Sequence, residues 1–445
     1  MKKKLEKKFK QIRDYLINKN SADLIQIIKD SHPADLGEIF NHLEKEERKA
    51  FITFFEPKEA AFVLPEMNPI FQKEVLNNIK DVRLSQILNV MPSDNVADTL
   101  GNLSEKRKRQ ILKLIGEEKA KEAYQLLEYK KNSAGRIMTT EFLSLNSEMS
   151  IDEAMEKLRK TDIYNIHYIY VTDNKNCLVG ILPLRTLIVA APNVKLGDII
   201  EKNIITVGVD VDQEEVASLV KKYDLRAIPV VDKLNKLVGI VTVDDILDVI
   251  TKEASEDIYH MAGIKEEGLL HRSILTAVRL RLPWLIVALM GGVVAAGVVG
   301  VFEKTLADII VLAAFIPVIM GMGGNIGTQS STIITRGLAT GTVNIKNIWR
   351  LLWRELCIGL LIGIICGVAI GIVAQIWKGT PALGIVVGTS MIAVITAAAF
   401  LGAFFPILFQ RLGIDPAILS GPAITTTKDI LALLIYFGVA TLIML

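Results

Sequence analysis

The last apolar run of the chain contains an aspartate and two threonines whose spacing suits cation binding. Asp429 lies about two turns inside the run 421–444, and Thr425 and Thr426 precede it by four and three residues. On a helix these three side chains share one face. An ionised carboxylate in an apolar layer costs several kcal/mol unless it meets water, a cation or a partner. The pattern therefore favours an ion site.

The alternative reading of Asp429 is an internal salt bridge with Lys428. Adjacent residues on a helix point about 100° apart, so Lys428 is expected to point away from Asp429. It would then extend toward the cytosol or pair with Glu355 on another apolar run.

A glycine-rich stretch, Gly323–Gln329, lies in an earlier apolar run and reads Gly-Gly-Asn-Ile-Gly-Thr-Gln. Glycines in an apolar helix indicate close helix packing. The added Asn and Gln suggest backbone that lines a water-filled path. The pore candidates are therefore Asp429, Asn325, Gly324, Thr425 and Thr426.

Carboxylates also cluster before the apolar part of the chain. Asp94 and Asp98 lie four residues apart on a predicted helix, and the segment 244–267 carries eight acids: Asp244, Asp245, Asp248, Glu253, Glu256, Asp257, Glu266 and Glu267. Like charges at such spacing repel unless counter-ions bridge them. The segment could act as a divalent-cation sensor with further carboxylates at Asp212, Glu214 and Asp224, and the alternative is a set of solvated helix faces.

The elements that carry these residues follow from composition. The 445 residues hold 51 Lys+Arg and 49 Asp+Glu, and only five of the acids lie beyond Leu280. Five stretches there are long enough to cross about 30 Å of hydrocarbon: 283–302, 308–334, 351–376, 383–409 and 421–444. Buried helices of a large soluble protein are the disfavoured alternative.

Positive charge predicts the direction of the spans. The residues Arg336, Lys346, Arg350 and Arg354 lie between the second and third spans, and Arg411 lies between the fourth and fifth. The opposite loops carry Lys304 and Lys378. We therefore expect a cytosolic N-terminus, which agrees with the lack of an apolar run after Met1, and an outside C-terminus. The three cysteines do not suggest a disulfide framework or a metal cluster.

The soluble front is predicted to have two parts. Residues 1–130 read as short amphipathic helices, and Pro33 and Pro92 each begin a similar helical stretch, which suggests stacked hairpins. In 137–250 the pattern Val-Gly-Ile at Val179–Ile181 recurs 59 residues later at Val238–Ile240. Each half reads helix, strand, turn, strand, helix, and the pair resembles tandem CBS domains.

That resemblance implies a regulatory module that often binds adenine nucleotides or metal ions. Thr242 and Asp245 resemble the hydroxyl and carboxylate that contact ribose in CBS domains. The corresponding stretch of the first half, 180–185, lacks this pair and has Arg185 as its last residue. The tentative nucleotide residues are Thr242, Asp245 and Arg185, and ATP is the expected ligand. The alternative is a CBS pair that serves only as a dimerising scaffold.

Taken over its whole length, the order of parts resembles the MgtE family of magnesium channels or transporters. The most specific motifs are Gly323–Gln329 and the Asp-Pro-Ala … Thr-Thr-x-x-Asp pattern of Asp415–Asp429. The resemblance implies a multidomain protein with an all-α superhelical N domain (1–130), an α+β tandem CBS pair (131–250), an acidic connecting plug helix (251–280) and a five-span α-helical transmembrane domain (281–445).

The resemblance also implies a homodimer in the cell membrane, with the pore at its interface and Asp429 of each subunit facing a hydrated Mg2+. The connecting helices would close the pore when cytosolic Mg2+ fills carboxylate sites, formed by Asp94, Asp98, Asp212, Glu214, Asp224, Asp245, Asp248, Glu253, Glu256, Asp257 and Asp415. One departure is Ala432, which stands where the family tends to have glycine.

Two other functions remain possible at this stage. The first is an ion-coupled transporter of another divalent cation such as Mn2+ or Co2+. The second is a membrane-anchored nucleotide sensor without transport, which leaves Asp429 unexplained. No P-loop, His-Cys metal cluster or nucleophile motif points to an enzyme, and no nucleic-acid partner is expected.

Overall fold

The computed structural model describes residues 3–18, 21–161, 163, 166–264, 273–343, 348–416 and 422–444. It has two compact units, Met1–Thr251 and Lys252–Leu445. Three charged residues used in the sequence argument, Glu266, Glu267 and Lys346, lie outside the described residues, as does part of the predicted connecting helix.

The first unit begins with short helices. They are α1 (Lys3–Asn18), α2 (Ser21–Lys29), α3 (Pro33–His42), α4 (Lys45–Phe51), α5 (Pro57–Val63), α6 (Pro69–Asn78), α7 (Asp81–Asn89), α8 (Ser93–Gly101), α9 (Glu105–Leu112) and α10 (Glu117–Glu128), with a 3-10 turn at Ile52–Phe54. Pro33 occupies the first turn of α3, and Pro92 is the N-cap of α8, as the repeated pattern predicts. One apolar core, with Phe40, Leu64 and Leu88 fully buried, holds these helices together.

Two similar α+β halves follow. The short helix α11 (Ala134–Ile137) comes first in the chain and packs against the second half. The first half contains β1 (Ser144–Asn146), α12 (Ile151–Arg159), β2 (Tyr168–Thr172), β3 (Leu178–Pro183), α13 (Leu184–Val189) and α14 (Leu196–Ile199). The second half contains β4 (Val207–Gly208), α15 (Gln213–Tyr223), β5 (Ala227–Val231) and β6 (Leu237–Thr242). In each three-stranded sheet the first strand is parallel to the second, and the second is antiparallel to the third. The predicted repeat of two CBS-like halves is confirmed.

The two hairpin turns of these halves also bind each other. Asn176 and Asn235, which are 59 residues apart, both adopt a left-handed backbone with φ of 62° and 61°. Leu178 N–H donates to Asn235 O, and Leu237 N–H donates to Asn176 O, each at 3.2 Å. This reciprocal exchange relates the halves by an approximate two-fold symmetry.

Long helices form the rest of the described chain. They are α16 (Val243–Met261), α17 (Ile274–Val301), α19 (Leu312–Ala339), α20 (Ile348–Lys378), α21 (Pro381–Arg411) and α22 (Pro422–Met444), and the short α18 (Glu303–Asp308) precedes α19. The acidic helix α16 begins at Val243, directly after β6, whereas the predicted connecting helix begins at residue 251. The strand runs straight into the helix because no turn residue follows Thr242.

Four helices of the described chain are long and apolar enough to cross a bilayer: Ile274–Val301, Ile348–Lys378, Pro381–Arg411 and Ile424–Met444. The stretch predicted as the second span forms α19, which has 28 residues and matches the others in length. The glycines and the Asn, Gln, Ser and Thr side chains of α19 reduce its apolar character, so the count of five spans remains a prediction.

Glycine allows close contact between two of these helices, α20 and α21. A Cβ at Gly367 would lie 2.6 Å from the Gly388 carbonyl oxygen, and a Cβ at Gly371 would lie 2.8 Å from that of Gly384. Helices α20 and α21 therefore pack backbone to backbone, as small residues permit in apolar surroundings.

Candidate ion and nucleotide sites

Helix α22 places the predicted hydroxyl stripe and its carboxylate in one cavity. The cavity has a volume of about 320 Å³, and its polar side chains are Thr425, Thr426 and Asp429. The remaining wall consists of apolar and small residues from α17, α19 and α22, among them Gly291 and Met320. Asp429 is half-buried, so its carboxylate faces a space that can hold water or a hydrated cation.

Close approach of α17 forms one wall of this cavity. A side chain at Gly291 would collide with the side chain of Thr426. The glycine therefore brings the α17 backbone next to the hydroxyl stripe.

Lys428 points away from the cavity, as its helical position predicts, and it is 3% exposed. Its partner differs from both predictions. Lys428 Nζ donates to Gly324 O at 2.9 Å and to Thr328 Oγ1 at 3.2 Å. Glu355 instead accepts a hydrogen bond of 2.9 Å from Ser330 Oγ. The part-buried Gly324 carbonyl on α19 thus takes the place of the expected carboxylate.

The glycine motif of α19 makes room for this lysine. A Cβ at Gly327 would collide with the Cδ of Lys428 and lie 3.1 Å from Ala398 O. The lysine stem therefore lies directly on the backbone of α19.

The two pore candidates on α19 are placed differently from those on α22. Gly324 O accepts from Lys428 Nζ and, at 2.9 Å, from Thr328 Oγ1. Asn325 is exposed on α19 and is not part of the Asp429 cavity wall. Within one chain, the described structure brings together Thr425, Thr426 and Asp429 only.

In the first unit, Asp94 lies close enough to Asp245 for its charge to act on that carboxyl group. Burial raises the pKa of Asp94 to about 6, and the nearby Asp98 and Glu141 carboxylates raise it further against local backbone hydrogen bonds. Burial, and then the Asp94 charge, raise the pKa of Asp245 to about 7, although Thr242 Oγ1 donates to Asp245 Oδ2 at 2.5 Å. Asp94 Oδ1 is buried without a hydrogen-bond partner among the described residues. A cation here would remove an electrostatic cost.

A second acidic pair lies in the same unit. Burial first, and then the charge of Asp248, raise the pKa of Glu66. Burial and Asp244 raise the pKa of Asp248. Sequence reasoning missed Glu66 because no spacing along the chain connects it with α16. Asp98 forms a salt bridge of 3.0 Å with Arg136.

In the second unit, the end of α16 lies beside the loop after α21. Burial first, and then Asp415, raise the pKa of Asp257, while the charge of Arg336 opposes the shift. His260 is 9% exposed and lies 3.6 Å from Asp415 Oδ2 and 3.7 Å from Glu256 Oε1. The sequence indicated the acids of this group but not His260.

The remaining sensing candidates have local structural roles. Asp212 is the N-cap of α15, and its carboxylate accepts from Glu214 N at 3.0 Å. Asp224 ends the same helix in a left-handed conformation, with φ of 51°. Glu253 lies on α16, where its charge contributes to the raised pKa of Asp257. Across the described ranges, no group of three or more His, Cys, Asp and Glu side chains has a geometry suited to a metal ion.

A larger cavity of about 540 Å³ lies between the CBS-like halves. Its charged and aromatic lining includes Arg185, Arg226, Tyr168 and Tyr170. The other two tentative nucleotide residues, Thr242 and Asp245, are not part of this wall and bind each other. The open cavity therefore adjoins the half that lacks the Thr/Asp pair.

Helices that can cross a bilayer, with a cation-compatible cavity among them, define a multi-pass membrane transport protein that also carries an α-helical domain and a pair of α+β halves. Residues 316–439 match the MgtE family model, described as a divalent cation transporter. Residues 31–132 match the MgtE intracellular N domain, and 134–193 and 196–252 match CBS domains.

The chain belongs to the MgtE family. It is 37% identical to the magnesium transporter MgtE of Bacillus subtilis (strain 168), over 94% of this chain and 93% of that protein. It is 35% identical to the magnesium transporter MgtE of Thermus thermophilus, over 99% of both chains. Membership favours transport over an enzyme or a membrane-anchored sensor.

Solved structures resemble the soluble part. The crystal structure of the soluble part of a magnesium transporter is 34% identical to this chain in the aligned region. The alignment covers 56% of this chain and 99% of that chain, with a TM-score of 0.52. The cytosolic domain of the Mg2+ channel MgtE in complex with ATP is 35% identical, covers 54% of this chain and 98% of that chain, and gives the same TM-score.

Proposed function

We propose that this protein conducts Mg2+ across the cell membrane, with Asp429 as the carboxylate that the ion meets. The observation that carries the proposal is the shared cavity of Asp429, Thr425 and Thr426 among apolar helices. Relatives at 35–37% identity along nearly their full length are magnesium transporters.

The chemistry of this cavity suits Mg2+ better than Ca2+. Mg2+ prefers six oxygens and releases water reluctantly, whereas Ca2+ takes six to eight direct oxygens. One carboxylate and two hydroxyls per chain can hold a hydrated ion through its waters, which suits an ion that keeps its water shell. In a homodimer, the Asp429 carboxylates of the two subunits would face the same ion, with Asn325 and Gly324 nearby.

The proposed topology has five spans, with α19 as the second, the N-terminus in the cytosol and the C-terminus outside. Arg336, Arg350 and Arg354 on the proposed cytosolic side support this direction. Exposed apolar side chains on α17, such as Leu285 at 62% and Leu289 at 66%, suit contact with lipid or a second subunit.

We further propose that cytosolic Mg2+ closes the pore by binding the acidic sites. The Asp94 charge contributes to the raised pKa of Asp245, and Asp94 Oδ1 has no hydrogen-bond partner among the described residues. At the end of α16, the Asp415 charge likewise contributes to the raised pKa of the half-buried Asp257. Mg2+ between such carboxylates would hold them together, and its loss would let them repel.

We propose ATP as a ligand of the CBS pair. Arg185 and Arg226 can contact phosphates, and Tyr168 and Tyr170 offer faces for an adenine ring in a cavity of about 540 Å³. A related cytosolic domain binds ATP. In this assignment Arg185 belongs to the nucleotide site, whereas Thr242 and Asp245 belong to the acidic pair with Asp94.

The test is Mg2+ flux into liposomes that contain purified Asp429→Ala or Asp429→Asn protein. Both variants should abolish flux while eluting as folded protein, because the ion then meets no carboxylate. Asp308→Asn, at the exposed last residue of α18, is the matched control and should keep wild-type flux.

Normal flux through the Asp429 variants would refute the ion-site assignment. Parallel measurements with Ca2+, Mn2+ and Co2+ define selectivity. Flux that requires a Na+ or H+ gradient would favour the alternative, an ion-coupled transporter of another divalent cation such as Mn2+ or Co2+.

A further inference from the structure

We infer that Lys428 is a positioning residue that weakens ion binding at Asp429 and thereby speeds ion release. This inference rests on the proposed role of Asp429. It concerns a side chain that sequence reasoning placed in the cytosol or beside Glu355, and that the structure places against Gly324 and Thr328.

The first step concerns the Gly324 carbonyl. A carbonyl oxygen has two lone pairs, and Gly324 O already accepts from Lys428 Nζ and from Thr328 Oγ1. While these bonds persist, the oxygen has no strong lone pair left for a permeating cation. The Thr328 N–H of the same α-helix donates to this oxygen as well. Gly324 O and Thr328 Oγ1 therefore act as the acceptors that hold the Lys428 ammonium on α19.

The second step concerns charge. Lys428 is 3% exposed, and the partners described for its ammonium group are a carbonyl and a hydroxyl, which carry no negative charge. Lys428 directly precedes Asp429, the residue that is proposed to meet the ion. The positive field of the ammonium opposes a divalent cation at Asp429, because like charges repel and the surrounding apolar helices screen them less than bulk water does.

The third step concerns fit. The lysine stem occupies the groove over Gly327, so an unbranched replacement of similar length can fill the same space. Lys428→Met and Lys428→Gln keep this stem and remove the charge. A conducting site must bind its ion weakly enough to let it leave, and these variants should bind it too tightly.

The test measures the initial rate of Mg2+ uptake into liposomes against external Mg2+ at a fixed membrane potential. Both variants should lower the half-saturating concentration by at least about three-fold and also lower the maximal rate, since Coulomb repulsion of the ion is lost. A partly unfolded sample lowers only the maximal rate. Lys378→Met, an exposed lysine at the end of α20, should leave both quantities unchanged.

An unchanged half-saturating concentration in folded Lys428→Met and Lys428→Gln would overturn the inference, as would an equal shift in Lys378→Met. If neither variant folds, Thr328→Val decides. It removes one of the two groups that hold the ammonium away from Asp429, so the half-saturating concentration should rise, and an unchanged value overturns the inference.

Asp429→Asn in the same assay separates the two claims. Loss of flux in Asp429→Asn together with unaltered Lys428 variants refutes only the role of Lys428. Wild-type flux in Asp429→Asn refutes the ion site itself, and the role of Lys428 with it.

Discussion

Replacing Asp94 with asparagine should stabilise the Mg2+-free protein at high pH. The Asp94 carboxylate is buried near Asp245 and Asp98, and its folded-state pKa is about 6 in place of 3.8. The folded state therefore favours the protonated form. The associated stability is complete below pH 3.8 and is lost as the pH rises through about 6.

The size of the effect follows from the two pKa values. Above pH 7 the ionised Asp94 costs the folded state about 3 kcal/mol, because one pKa unit corresponds to about 1.4 kcal/mol. Asparagine has nearly the same shape and no charge, so Asp94→Asn should recover up to about 3 kcal/mol at pH 8 and less than about 1 kcal/mol at pH 4.

Hydrogen exchange of the full-length protein, detected by mass spectrometry, measures this change in stability at the helix that carries Asp94. With EDTA present, peptides from α8 (Ser93–Gly101) report the free energy of local opening of this helix. The exchange rates are corrected for the intrinsic rate at each pH. Asp210→Asn, an exposed aspartate of the same unit, is the control and should change nothing. Added Mg2+ should protect α8 in the wild type but not in Asp94→Asn.

Two results would refute this reasoning. Equal protection of wild type and Asp94→Asn at pH 8 would mean that ionised Asp94 carries no cost. A gain that is as large at pH 4 as at pH 8 would mean that the effect comes from hydrogen bonding rather than charge.

Two further predictions concern regulation. Changing Asp248, Glu253 and Glu256 together to the amides should weaken closure by internal Mg2+, because fewer carboxylates remain to bind the ion. Protease protection of the acidic segment and Mg2+ flux into liposomes measure this effect. An unchanged Mg2+ dependence would contradict the proposal that these carboxylates sense Mg2+. Arg185→Ala should weaken ATP binding at least about ten-fold, because it removes a charge-assisted phosphate contact. The control Arg159→Ala on α12 should leave the affinity for ATP unchanged, and calorimetry on the full-length protein measures both. Equal ATP affinity in the two variants would exclude the cavity beside Arg185 as the ATP site.

The parts of the fold that depend on local periodicity could be predicted from the sequence. The 59-residue repeat indicated the strands that became β2 and β5, because their hydrophobic pattern is strong. The first strand of each sheet was missed because β1 has three residues and β4 has two. Such short segments pair only because the neighbouring strand is already in place.

For the candidate site, too, contacts within one helix could be predicted from the sequence, whereas contacts between helices could not. The shared face of Asp429, Thr425 and Thr426 follows from helix geometry alone. The partner of Lys428 could not be predicted, because it depends on how closely α22 approaches Gly327. Glu66 was missed for the same physical reason, since only tertiary packing brings its charge near Asp248.

The paired hairpin turns of the CBS halves have a practical consequence for labelling and tagging. Residues 174–177 and 233–236 look like tolerant surface loops, yet their backbones bind each other, and Cys177 Sγ donates to Leu234 O at 3.5 Å. A thiol-reactive dye at Cys177, or an epitope inserted in either turn, would separate the halves it is meant to observe. Spectroscopic probes of this module belong at exposed positions such as Asp210, on a background in which Cys177 is replaced by serine.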